Sequence, residues 1–167
     1  MNELTEVIKR RRSVRKFEPK PISEEIIRDI LDCARLAPTA NNLQPWLFGA
    51  VTNPSIRREI AELTEYGKFI KDCAVCFAVF ADSTKKYFLE DGCAATENIL
   101  LAAVGLGLGT VWLGVHSIHN FEKQISEHLQ LPSQVKPLNV IYIGYPAEEK
   151  SARTQYRADR VHWGKYT

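Results

Sequence analysis

The stretch "GCAATENILLAAVGLGLGTVWLG", residues 92 to 114, decides between two ways of building this chain. Its first half is apolar on nearly every side, so the periodicity predicts one long helix over residues 85–104. "GLGLG" at 105–109 breaks that helix, and "TVWLGV" after it has the β-branched, apolar composition of a strand. The order matters because a dinucleotide-binding glycine fingerprint follows a strand and opens a helix. Here the glycines follow a helix and open a strand, so they are read as a helix stop.

Working outward, "WLFGAV" at 46–51 and "CAVCFAVF" at 73–80 read as buried strands, and "LNVIYIGYP" at 138–146 is the clearest strand of all. Helices are expected over residues 3–12, from Ser23 to a stop before Pro38, from Asn53-Pro54 to about Leu63, and from Asn120 to Leu129. "PTANNLQP", with two prolines and two asparagines, is a loop. The strands are few and the crossovers uneven, which predicts an α+β sheet covered by helices. A helix as apolar as 85–104 must be enclosed, and a partner subunit is a candidate. Tyr156, Val161, Trp163 and Tyr166 make the tail, about 147–167, too apolar for a frayed end, so it is expected to pack on a neighbouring subunit.

The chain has 167 residues with 45% apolar content, which suits one domain over 1–167. Lys plus Arg is 22 against 20 Asp plus Glu, a net charge of +2 that gives no general hold on a polyanion. No run of eighteen apolar residues occurs, and Met1 leads into a charged amphipathic stretch, so a soluble, cytoplasmic protein away from membranes is expected. Cys73 and Cys76 have redox-pair spacing but lie in an expected strand, where an odd offset sends them to opposite faces as core thiols. His116 and His119 lack a third ligand, so no metal site is read, and no Ser-His-acid arrangement supplies a catalytic side chain.

What remains is the basic run "KRRRSVRK" at 9–16. It could be a nucleic-acid patch, a solvated helix end favoured by the backbone dipole, or a seat for one phosphate. Arg11, Ser13 and Arg15, at alternate positions on the chain leaving the first helix, would face one side and grip phosphate oxygens. In the loop, Asn42 and Gln44 offer paired donors and acceptors for the edge of a heteroaromatic ring, with Pro38 and Trp46 as apolar walls. The residues alone reach a phosphate-bearing heteroaromatic ligand, with solvated charges as the alternative.

A resemblance takes the reading further. "RRSVRKF" at 11–17, "LAPTANNLQPWLF" at 36–48, "FIKDCAVCFAVF" at 69–80, residues 92–114, and "YIGYPAEE" followed by "RTQYRADRVHW" resemble, in that order, the FMN-dependent nitroreductase family in its compact branch. The resemblance implies a mostly antiparallel central sheet, an intertwined homodimer with FMN at the interface, and NADH or NADPH as electron donor. By similarity, Arg11, Arg12, Ser13 and Arg15 would hold the FMN phosphate and the polar edge of the flavin, completed by Arg153, with Arg157 a second candidate for the phosphate. Pro38, Thr39, Ala40, Asn41 and Asn42 would lie along the ring from the other subunit, and Leu113 and Gly114 would bring backbone amides to it. Larger members place Asn and Lys side chains near the flavin where this chain has Tyr66-Gly67-Lys68, so that match is weak. The implied activity is ping-pong reduction of nitroaromatics, quinones or flavins, with chemistry at flavin N5 and no side-chain acid or base. The alternatives are a non-catalytic FMN carrier or another flavin reaction, such as ene reduction or dehalogenation.

Overall fold

The computed structural model describes residues 3–68, 71–151 and 157–164. Strands β1 (Trp46–Val51), β2 (Val75–Asp82), β3 (Gly109–Gly114) and β4 (Val135–Gly144) form one sheet in the order β1-β2-β4-β3, every neighbouring pair antiparallel. β1 and β3 are therefore the two edges. The sheet's two faces follow from the two-residue period of the strands. Val75, Phe77, Val79, Ile141 and Ile143 face one core, and Cys76, Ala78, Phe80, Val140 and Tyr142 face the other. β2 is buried on both sides, which is why it reads as an unbroken apolar run.

The first face is covered by α2 (Glu24–Arg35) and α4 (Phe88–Gly105). α2 starts where expected because the Ser23 side chain accepts from the Ile26 N–H, and Ile27, Ile30 and Ala34 form its buried stripe. α4 buries Ala95, Thr96, Ile99, Leu100 and Ala103, so the chain itself supplies much of the enclosure that its composition demands. Gly92 lets this helix approach β4, since a Cβ there would stand 2.2 Å from Leu138 Cδ1. The opposite face is covered by α3 (Pro54–Glu62) and α5 (His119–His128), through Ile60, Phe121 and Ile125. α1 (Glu3–Arg10) ends two residues short of its expected end, leaving Arg11 and Arg12 on the segment that follows it.

Four expectations are corrected. β2 begins only at Val75, so Cys73 lies in the bend before it and both thiols enter the same core, 1% and 0% exposed. Trp46 is no pocket wall: it is buried against Ala37 and Ala95. α4 starts at Phe88, and β4 starts at Val135 because a β-bulge opposite Val79 and Phe80 skips Leu138 and accommodates Pro137, which has no N–H to give a ladder. No described helix is long and apolar enough to cross a membrane.

Candidate functional site

Two glycines that face each other across the β3–β4 ladder create the site's floor. Gly109 pairs with Gly144, and the segment leaving α1 lies across both. A Cβ at Gly109 would stand 2.8 Å from Val14 Cγ1, and one at Gly144 would stand 2.8 Å from Phe17 Cδ1. Only with both Cβ atoms missing do Val14 and Phe17 sink into the core, at 8% and 7% exposure. Backbone bonds then fasten the segment: Val14 N to Thr110 O at 2.8 Å, Glu18 N to Tyr145 O at 2.9 Å, and Ala147 N to Lys16 O at 2.9 Å. Ser13 bridges Thr110 in parallel, the one departure from the antiparallel pattern among the described residues.

With Val14 and Phe17 turned inward, the residues between and before them are left on the surface. Arg11, Arg12, Ser13 and Arg15 line one cavity of about 440 Å³ together with Lys9 and Lys150. Five cations surround it, and no carboxylate is among its described lining residues. Such a cluster is costly unless an anion fills it, and guanidinium forks match phosphate oxygens. Arg12 Nη1 donates to the Ser151 carbonyl, which ties the cluster to the chain beyond β4. Lys150 had no signal in the sequence beyond its charge; its place depends on how the chain turns after β4.

Glu148 steadies this arrangement from behind. Its carboxylate accepts from the Arg15 N–H at 2.6 Å and from Lys150 Nζ at 2.9 Å. The Arg15 N–H first, and then Lys150, hold the Glu148 carboxyl below its ordinary range. A folded-state value below the unfolded one contributes stability above the ordinary glutamate range, lost as pH falls through the lowered value. An acid titration of stability should therefore show a loss in the wild type that is smaller in Glu148→Gln; identical acid profiles would count against this role.

Arg15 also lines a second cavity, of about 370 Å³, with Thr64, Tyr66, Val111, Trp112, Leu113, Gly114, Ile118 and Phe121. β3 is an edge strand, so beyond the Ser13 bridge its outer backbone has no strand partner among the described residues. A Cβ at Gly114 would meet nothing within 4 Å, so the strand end is open. A basic cavity and an apolar one thus share Arg15. That suits a ligand with a dianionic end and a flat, largely apolar body. Trp112, whose Nε1 donates to Asn139 Oδ1 at 2.6 Å, is anchored in turn to α4 by the bond from Asn139 Nδ2 to Thr96 Oγ1 at 3.0 Å.

The loop 38–44 lies elsewhere. It leads into β1, the opposite edge of the sheet, and lines neither cavity among the described residues. Asp91, 6% exposed on α4, holds it: Thr39 Oγ1 donates to Asp91 Oδ2 at 2.7 Å, and the Ala40 N–H donates to Asp91 Oδ1 at 3.3 Å. Thr39 Oγ1 accepts in turn from the Gln44 N–H at 3.0 Å. Asn41, Asn42 and Gln44 all have positive φ, a strain that persists only where surrounding bonds hold it. Asn42 and Gln44 bond to each other, Nε2 to Oδ1 at 2.7 Å, which occupies part of the edge expected to read a ring. Pro38, Asn41, Asn42 and Gln44 are exposed. Sequence reading missed Asp91, since one acid in a helix's first turn is ordinary. Replacing it with alanine removes the partner of two part-buried donors and should cost about 1–3 kcal/mol. Denaturant unfolding checks this, and an unchanged midpoint would contradict it.

Arg153 lies outside the described residues. Arg157 forms a two-point pair with Asp159, at 3.1 and 2.7 Å, and is absent from the described lining of both cavities. His116 Nδ1 stands 3.2 Å from Glu122 Oε2, and the described residues contain no group of three side chains placed to hold a metal.

The family model of the nitroreductase family matches residues 8–67 and 62–145. The chain belongs to the nitroreductase family. A Methanothermobacter thermautotrophicus protein assigned as an NADH dehydrogenase/NAD(P)H nitroreductase is 38% identical, over 98% of this chain and 88% of that one. An FMN-dependent nitroreductase structure from Clostridium difficile R20291 superposes with a TM-score of 0.90 at 30% identity, over 95% of this chain and 98% of that one. The NADPH:FMN oxidoreductase from Vibrio harveyi, complexed with NAD+, gives a TM-score of 0.88 at 26% identity, over 99% of this chain and 79% of that one. The four-stranded antiparallel sheet with helices over both faces is thus the nitroreductase fold.

Proposed function

We propose that residues 1–167 form a single-domain, FMN-dependent nitroreductase that takes electrons from NADH or NADPH and passes them to a nitroaromatic, a quinone or a free flavin. The observation that carries this reading is the pair of cavities sharing Arg15, five cations on one side and an apolar strand edge on the other. The donor set fits the cofactor. Arg11, Arg12, Ser13, Arg15 and Lys150 would hold the phosphate, and Leu113 and Gly114 would border the ring. When bound, FMN supplies the hydride and electron transfer, and the protein supplies position and electrostatics.

The residues of this chain then have defined tasks. The guanidinium groups bind and orient the phosphate end, and the cations keep the local potential positive, which favours any negative charge that develops nearby. Tyr66, Ile118 and Phe121 would border the ring with apolar surface and leave room for a second molecule beside it. Donor and acceptor would use that opening in turn, as a ping-pong order requires.

The loop 38–44 would reach the ring from a second copy of the chain. Its position on the far sheet edge supports this, as do Leu36 at 80% exposure and Trp163 at 92%, apolar surfaces that a partner would cover. A homodimer with FMN between its subunits, acting in the cytoplasm, follows from this reading. The experiment is steady-state oxidation of NADH and NADPH against a panel of nitro compounds, quinones and free flavin. Multiple turnovers with parallel double-reciprocal lines are expected. FMN-loaded protein that neither bleaches with NADH or NADPH nor turns over would overturn the catalytic reading.

A further inference from the structure

Away from the Arg15 cavities, the start of α3 and the segment 19–22 enclose a third cavity, of about 370 Å³, that shares no lining residue with either of them. Lys20, Arg57, Arg58 and Lys71 line it against a single carboxylate among its described lining residues, Asp72. Pro19, Pro21 and Pro54 add stiff apolar wall. We infer that this cavity is a second anion site, built to take the phosphate group of a small organic phosphate.

Arg57 is the centre of the argument. Its Nη1 donates to the Thr52 carbonyl, which fixes the guanidinium at the cavity wall. Its Nε is buried, with no oxygen or nitrogen acceptor among the described residues, and the Cys73 thiol is the side chain that interacts with its guanidinium. The rest of the guanidinium lines a cavity rich in cations, where an anion would offset the charge. Lys20 is held at the rim by the Tyr145 ring, 4.0 Å from its Nζ. Cys73, at the inner wall, cannot serve as the missing anion: burial pushes its thiol up to about 11 even though the Arg57 charge pulls it down. The cavity thus has three cations in excess over carboxylates, four against one, with a fixed planar fork among them. A phosphate dianion is the group whose charge and oxygen geometry match. The proline walls suit a compact body attached to it, such as a nucleoside monophosphate.

The test titrates AMP, inorganic phosphate and adenosine separately into the FMN-loaded protein by calorimetry at low salt, so that the Arg15 cavity is already filled. AMP is expected to bind saturably at one site per chain, with affinity falling as salt rises. In Arg58→Ala/Lys71→Ala, two surface changes that spare the core, that affinity should fall at least tenfold. The same double variant should bind FMN as the wild type does, since neither residue lines an Arg15 cavity, and this separates the inference from the flavin reading. Inorganic phosphate should compete; AMP binding more tightly than phosphate assigns the organic source, and equal affinities assign free phosphate. Absence of saturable binding by both, adenosine binding as tightly as AMP, or AMP affinity unchanged in Arg58→Ala/Lys71→Ala would each overturn the inference.

Discussion

Arg12→Ala/Arg15→Ala is expected to lower FMN affinity by two to four orders of magnitude, from about 1.5–3 kcal/mol for each charged hydrogen bond lost if the two add. Both side chains line the basic cavity, and Arg15 alone also borders the apolar one. The single Arg15→Ala change should therefore cost both retention of the phosphate and placement of the ring, whereas Arg12→Ala should act on retention alone. Fluorescence titration of apo-protein with FMN measures the first, and the shape of the bound flavin absorbance bands reports the second. Neither arginine supports the core, so thermal stability of the apo-protein should stay within a fraction of a kcal/mol of the wild type. Unchanged FMN affinity in the double variant would mean that the phosphate sits elsewhere.

Gly144→Val should have the next largest effect, and through packing rather than charge. A Cβ at this position comes within 2.8 Å of Phe17 Cδ1 and 3.2 Å of Phe17 Cβ, so the segment from Val14 to Phe17 must lift. Overpacking of this kind costs about 1–3 kcal/mol of stability. The lifted segment also carries Arg15 away from β3, so FMN affinity should fall at least tenfold. The smaller Gly144→Ala change should be partly relieved by Phe17→Ala, because the ring atoms in closest approach are then gone; a double-mutant cycle measures that coupling. If Gly144→Val binds FMN as the wild type does, the glycine pair is not what seats the segment.

These two positions also mark where sequence reading stops. Trp46–Val51 was visible to the residue because a β strand of apolar residues is bounded there by Pro45 and by the Asn53-Pro54 helix start. Ser23 announced α2 because its cap needs only local bonding. Alternation alone sends Arg11, Ser13 and Arg15 to one side of the exit from α1; in the structure these three and Arg12 line one cavity.

What depends on register could not be read in this way. Gly109 and Gly144 are 35 positions apart and meet only once β3 and β4 are aligned. Asp91 reaches Thr39 and Ala40 across 52 and 51 positions, and Lys150 joins the arginines only after the chain turns beyond β4. Cys73 shows the same limit in reverse: the two-residue period applies inside a strand, and β2 begins two residues later than the pattern assumed. Local chemistry locates elements and charges, and tertiary alignment decides which of them meet.

The most direct measurement is an FMN titration of the apo-protein followed by flavin fluorescence, with the assembly size determined by sedimentation on the same samples. One FMN per chain, bound in a two-chain particle, is the predicted result. A protein that takes up no FMN, or a single chain that binds it as tightly as the wild-type assembly, would contradict an arginine seat on the β3 edge completed by a neighbouring copy's loop.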